Sequence, residues 1–308
     1  MYTGELISLS VTISWTICAL FAEVASKRME SLPFNVVRMV LSLLMIGGLL
    51  WCVTGFPYPT GADSDTWLWL SLSGFVGYVL GDFCLFNCYI QIGSRYGQLL
   101  MTIAPPTAAI FGWLILGQQM SVLAILGMLI TVSGIALAIH RPKSDETKLA
   151  TKGILYGIGA AIGQGIGLVL SAKGLKCFEV SSADIFSAND HTMLALPFAG
   201  TMIRAITSLV GFTVWSLLIG KGPGIIKAFT DGKGMLFAIG AAVTGPFIGV
   251  GLSLMATQYT STGIAQTIMS LTPIFILLPT YLFFHQKITW REIAGAVVAV
   301  GGVTLFFV

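Results

Sequence analysis

Apolar residues in this chain run in long unbroken blocks, and polar residues gather in short stretches between them. Ten blocks, near 5–25, 33–53, 67–91, 96–117, 121–139, 153–173, 193–219, 234–257, 263–284 and 290–308, reach the length needed to cross a bilayer. A spanning helix takes about 20 mainly apolar residues at 1.5 Å rise. The blocks do not alternate with period two, which argues against a barrel. The predicted fold class is an all-α membrane protein with ten transmembrane helices. The stretch 54–66 (TGFPYPTGADSDT) reads as a surface turn from its prolines, glycines and aspartates. The longest polar run, 140–152 (HRPKSDETKLATK), divides the helices into five and five. The chain is therefore read as 1–139, a linker at 140–152, and 153–308, with loops too short to hold a soluble domain.

That symmetry prompts a search for an internal repeat. A shift of 168 residues brings Gly77 onto Gly245, Gly81 onto Gly249, Gln98 onto Gln266, Met101 onto Met269 and Pro105 onto Pro273. It also brings Gln118 onto Gln286, Gly127 onto Gly295 and Gly134 onto Gly302. LPFNVVR, ending in Arg38, resembles LPFAGTMIR, ending in Arg204. This many matches in one register indicate duplication. An odd number of helices per unit makes the second unit enter the membrane the other way up. Such inverted repeats mark secondary transporters, with the substrate site near midplane between the halves.

At these stretches the chain resembles the drug/metabolite transporter superfamily, EamA type. The resemblance lies in IGSRYGQLLMTIAPPTAAIFGWLILGQQMSVLAILGMLITVSGIAL and TSTGIAQTIMSLTPIFILLPTYLFFHQKITWREIAGAVVAVGGVTL and covers nearly the whole chain. One departure recurs, since Gln118 and Gln286 stand where the family commonly has Glu. The resemblance implies a multi-pass inner (plasma) membrane protein exporting small metabolites, amino acids and their relatives first among them, by alternating access. It implies a small-molecule substrate and the lipid bilayer as partners, a monomeric state, and a cavity lined by helices one and six. Trp15 and Gln164 sit near the midpoints of those two helices, offering a flat apolar wall and an orienting hydrogen bond.

Composition narrows the function from another direction. Of 308 residues, 56% are hydrophobic and 9% charged, with mean hydropathy +0.89, against about 25% charged in soluble domains. A soluble enzyme, a nucleic-acid binder and a disordered chain are excluded. Cysteines 18, 52, 84, 88 and 177 form no metal-binding spacing, and four lie in apolar runs while Cys177 is placed in a loop. His140, His191 and His285 likewise lack metal spacing. IGAAIGQGIG follows no strand, so it is no dinucleotide fingerprint, and no nucleotide or other cofactor is expected. No cleavable signal peptide is read at the start, because the first apolar run lacks a basic lead.

Ionisable groups inside spans cost about 2.5–3.5 kcal/mol on insertion scales, which makes each a functional candidate. Asp82 is the sharpest, because its repeat mate is the apolar Val250. It is expected to contact a substrate amine, carry a proton, or pair with an arginine. Tyr78, Asn87 and Tyr89 are expected to help form a polar, aromatic surface near it, with Asn87 pointing less directly that way. Arg38 and Arg204 occupy matching places, bracing each half or gripping a substrate carboxylate. Glu23 is placed at the interface end of helix one. Pro105, Pro106 and Pro273 interrupt the fourth and ninth helices, and Pro105 and Pro273 are the expected hinges.

One rival of another class is a membrane-embedded aspartyl protease, suggested by Val79-Leu80-Gly81-Asp82. That chemistry needs two carboxylates sharing a proton, and the other aspartates fall in loops. A non-transporting scaffold leaves Asp82 unexplained. Orientation carries two opposed expectations. Outside Arg38 and Arg204, twelve Lys/Arg fall on one side (Lys27, Arg28, Arg95, Arg141, Lys143, Lys148, Lys152, Lys221, Lys227, Lys233, Lys287 and Arg291) and two, Lys173 and Lys176, on the other. The positive-inside rule then puts both termini outside the cytoplasm. The family resemblance implies both inside.

Overall fold

The computed structural model describes residues 3–117, 121–139, 149–183, 195–259, 268–285 and 288–305. Gln118, His140, Arg141, Lys143, Lys148, His191, Gln266, Gln286 and Lys287 lie outside them, as does most of the 140–152 linker. The described residues are almost entirely helical, with no strand among them. Among the described residues, six helical runs are long and apolar enough to cross a membrane, joined by shorter apolar helices. This is a multi-pass membrane fold.

Helix α1 (Thr3–Met29) meets α2 (Ser31–Thr54) across the single residue Glu30, whose φ of 64° turns the chain sharply. Lys221 holds the Glu30 carboxylate at this corner. Gly55, at φ 78°, closes α2 in the left-handed conformation that glycine adopts most freely. Asp63 caps α3 (Ser64–Ser73) by accepting from the Thr66 N–H at 2.9 Å, and the Thr66 contacts hold its carboxyl below the usual carboxylate range.

From α3 the helix continues through a π segment (Gly74–Asp82), α4 (Phe83–Leu100), a 3-10 turn (Met101–Ile103) and α5 (Ala104–Leu116). These 53 residues would extend about 80 Å if straight, far beyond a hydrocarbon core of roughly 30 Å. The run breaks at Gly93 (φ 84°, ψ 162°), inside the gap expected between the third and fourth blocks. Its two limbs fold back side by side. A single stretch of α7 (Thr151–Ser181) touches both: Gly163 and Gly167 abut Gly81 and Gly77, while Gly165 abuts Ala104 and Thr107.

Beyond α7 come α8 (Leu196–Leu218), the short α9 (Gly222–Thr230) and α10 (Gly232–Ala242). Asp231 caps α10 from the surface, and its carboxyl is held low by the Arg28 side chain and then by the Gly234 N–H. A second π segment (Val243–Phe247) leads into α11 (Ile248–Tyr259). The chain closes with α12 (Thr272–Phe275), α13 (Leu277–Phe284) and α14 (Trp290–Thr304). Helix α6 (Val122–Ile139) packs along α14 through glycines: a Cβ on Gly134 would lie 2.7 Å from the Gly295 carbonyl oxygen.

The two sequence repeats interlock. Helix α1 packs on α10 and α11 of the second half, and α7 packs on α3, the first π segment and α4 of the first. The π segments fall at corresponding places, because a shift of 168 puts Gly77 on Gly245. Pro246 lies inside the second one.

One sequence expectation is corrected here, and two features are added. Cys177 is not in a loop, since α7 continues to Ser181. Glu23 lies six residues before the end of α1, which reaches Met29, and is 1% exposed. Its carboxylate accepts from the Ser94 N–H at 2.6 Å, just past the Gly93 break, and pairs with Lys27 at 2.5 Å. Charge is locally expensive there, and a partner on each oxygen offsets the cost. Helix α9 was not anticipated, because nine residues are too short to register as a span.

The basic end of the molecule is assembled from distant segments. Contacts from Lys27 to Glu23, Glu23 to Ser94, Arg28 to Asp231, Lys221 to Glu30 and Arg95 to Glu292 tie α1, α4, α9, α10 and α14 together. At the opposite end Lys173 lies over the Trp69 ring at 3.6 Å.

Candidate functional site

The first π segment offers Tyr78 and Asp82 to the interior, four residues apart. Both are buried, with Asp82 only 3% exposed. Four side chains from three other helices converge on this one segment or its flank. Arg38 of α2 donates to Asp82 Oδ2. Gln164 of α7 donates from Nε2 to Asp82 Oδ1 at 2.7 Å and to the Gly77 carbonyl at 3.1 Å. Arg204 of α8 lies over the Tyr78 ring, 4.4 Å from its centroid, and within electrostatic reach of Asp82. Asn35, on α2, accepts from Arg38 at 3.1 Å.

Local sequence explains this convergence. Gly77 and Gly81 carry no side chain where α7 and the Arg204 guanidinium approach: a Cβ on Gly77 would lie 3.4 Å from Arg204 Nη2, and one on Gly81 would lie 3.5 Å from Gln164 Nε2. Widened π turns leave backbone groups off the usual ladder, and neighbouring side chains meet some of these groups. Gln164 meets Gly77, and Ser208 of α8 donates to the Gly74 carbonyl at 3.2 Å. The Arg38 guanidinium also faces the Phe86 ring at 4.7 Å, which shields the ion pair from competing polar groups.

The equivalent place in the second half is apolar. Gly249 abuts the Trp15 indole of α1 where Gly81 abuts Gln164, and Val250 stands where Asp82 does. Trp15 is half-buried and packs near Val11, Ala256 and Met269. The duplication has thus kept the geometry of two glycine contacts while placing charge beside only one.

Of the sequence candidates, the structure brings together Asp82, Arg38, Gln164, Arg204 and Tyr78. Asn87 does not join them; its amide donates to the Phe83 carbonyl at 2.7 Å. Five residues along an α-helix is about 140° of rotation from Asp82, enough to turn it aside. Tyr89 is buried and accepts from Gln98 at 2.6 Å. Pro105 is the second residue of α5 after the 3-10 turn, and Pro273 the second residue of the four-residue α12, so both lie where a helix restarts. Pro106 is buried beside Pro105.

Sequence reading missed a second buried cluster. Arg95 lies 3.4 Å from Glu292 and donates to the Tyr96 hydroxyl at 3.2 Å, and that hydroxyl donates to Glu292. Glu292 also accepts from the Thr289 N–H at 2.9 Å, in a capping box that starts α14. The Thr-x-x-Glu spacing at 289–292 was its available signal. Nothing comparable announced the π segments.

No second aspartate approaches Asp82 among the described residues: Asp63, Asp65 and Asp231 lie at helix starts. The paired carboxylates of an aspartyl protease are therefore not assembled from these residues.

A family model described as the EamA-like transporter family matches residues 2–140 and 151–308. No curated protein matches the chain. A solved structure titled only "Crystal structure of protein" is similar in fold, with a TM-score of 0.61 at 14% identity, over 99% of this chain and 96% of that one.

Proposed function

Because the chain belongs to the EamA-like transporter family, and so to membrane transporters of the drug/metabolite type, we propose that it exports small metabolites such as amino acids and their relatives by alternating access. In this reading the chain crosses the plasma membrane ten times, in two inverted five-helix repeats. The observation that carries it is the charged cluster between the repeats, in which Arg38, Tyr78 and Asp82 come from one half and Gln164 and Arg204 from the other. A buried ion pair is weak as a device for stability alone, since well-packed apolar residues often serve as well. Contacts that join two moving halves have a further use, because exchanging them for substrate contacts couples binding to rearrangement.

Pro105 and Pro273, each at a helix restart, are the hinges in this reading, and the glycine-lined α7 surface lets the halves slide at close range. The test is reconstitution of the purified protein in vesicles loaded with labelled amino acids. Time-dependent efflux, saturable and accelerated by unlabelled substrate on the far side, is expected. A protein that melts cooperatively yet moves no labelled amino acid in either direction overturns this reading.

A further inference from the structure

The cluster on the first π segment does not balance. It contains two guanidinium groups, Arg38 and Arg204, and one carboxylate, Asp82. Both Asp82 oxygens are already engaged, Oδ2 by Arg38 and Oδ1 by Gln164. Arg204 has no carboxylate in ion-pair contact among the described residues, and its Nε is buried without a hydrogen-bond partner. The Tyr78 hydroxyl, on the ring that Arg204 covers, is also buried without a partner, in a residue 6% exposed. Arg204 lies roughly 12 Å along α8 from its first residue, so this excess charge is well inside the helix.

An uncompensated cation and an orphaned hydroxyl in an apolar surround are each costly, and together they define what is missing. The missing group is an anion that accepts hydrogen bonds from both. A guanidinium fork fits a planar carboxylate best. Unlike Arg38, Arg204 is only half-buried, so part of it stays accessible. Asp82 is not similarly free to receive a substrate amine.

We propose that Arg204, with the Tyr78 hydroxyl, receives the carboxylate group of the transported metabolite, making a carboxylate obligatory in the substrate and an amine dispensable. This rests on the transporter reading and deepens it. Binding would bring the local charge from an excess of one positive to neutral, and so favours the state in which the anion is enclosed. Arg38 and Asp82 then keep their pairing while the substrate is held on the neighbouring turn.

The experiment compares four molecules of one size on the purified protein: propionate, propionamide, L-alanine and L-alaninamide. Each is titrated to high millimolar concentration while melting is followed, because a ligand that binds only the folded state raises stability. Propionate and alanine are expected to raise the melting temperature, and the two amides to leave it unchanged. Arg204→Gln should weaken the carboxylate response by about tenfold or more, with part of it retained in Arg204→Lys. Tyr78→Phe should weaken it by several-fold. The wild-type panel decides the matter even where a variant folds poorly. Equal stabilisation by alanine and alaninamide overturns the proposal, as does no response to either carboxylate, or a full response in Arg204→Gln. Labelled efflux from vesicles keeps the two readings apart. Flux competed equally by alaninamide sinks the carboxylate site and leaves transport standing. Carboxylate-dependent melting without any flux does the reverse.

Discussion

Gln164 holds Asp82 from the opposite repeat: its Nε2 lies 2.7 Å from Asp82 Oδ1 and 3.1 Å from the Gly77 carbonyl oxygen. One amide thus secures both a buried acid and the π segment that presents it. The arrangement explains why the buried acid is tolerated: Gln164 serves one oxygen and Arg38 the other.

Asp82→Asn leaves the buried Arg38 guanidinium without its counter-charge. Removing one partner of such a pair costs roughly 3–5 kcal/mol. A marked fall in melting temperature is expected, together with slower substrate exchange. The double variant Arg38→Met with Asp82→Leu should recover most of the stability and none of the transport. Melting unchanged in Asp82→Asn would show that the pair contributes little to holding the fold.

The restart prolines predict a different pattern. Neither proline's ring opposes a helix carbonyl in the way a mid-helix proline does, since both occupy first-turn positions where a missing N–H costs little. Pro105→Ala and Pro273→Ala should therefore insert and melt within about 1 kcal/mol of wild type, yet transport more slowly as the helix gains continuity. Wild-type rates in both variants would reduce these residues to packing.

Glycine positions separate into two groups. Gly163 faces the Gly81 Cα and the Val76 carbonyl, 2.9 and 3.0 Å from where a Cβ would sit. Gly163→Ala should cost about 1–3 kcal/mol, because backbone rather than a flexible side-chain end must yield. Gly48 and Gly301, inside helices with open space around them, should tolerate alanine and gain up to about 1 kcal/mol. Melting of the three single variants checks this, and equal losses at all three would contradict the packing seen between α7 and the first π segment.

Orientation follows from the clustered charges. Lys27, Arg28, Arg95, Lys152, Lys221, Lys227, Lys233 and Arg291 belong to the end tied together around Glu23, Asp231 and Glu292, while Lys173 stands beside Trp69 at the other. The positive-inside rule predicts that the first end is cytoplasmic and that both termini are external. A C-terminal reporter that is active only in the cytoplasm should stay silent. A bright signal would side with the orientation that the family resemblance implies.

The sequence by itself determined what depends on local hydrophobicity and on copying. Long apolar blocks must become helices in a bilayer, because no water is present to meet their backbone groups. The 168-residue register followed from matched glycines and prolines, and Asp82 stood out because Val250 is its mate. Tertiary structure alone decided who meets whom. Arg38 and Arg204 look alike in sequence, yet one binds Asp82 and the other stacks on Tyr78 without a carboxylate. Trp15 and Gln164 take equivalent seats, yet only Gln164 finds an acid there. The aside-facing direction of Asn87 was by contrast legible in the sequence, because helical rotation follows from residue spacing. The π segments were invisible: they depend on a shifted hydrogen-bond register that interhelical packing stabilises, and one-dimensional spacing does not contain that packing.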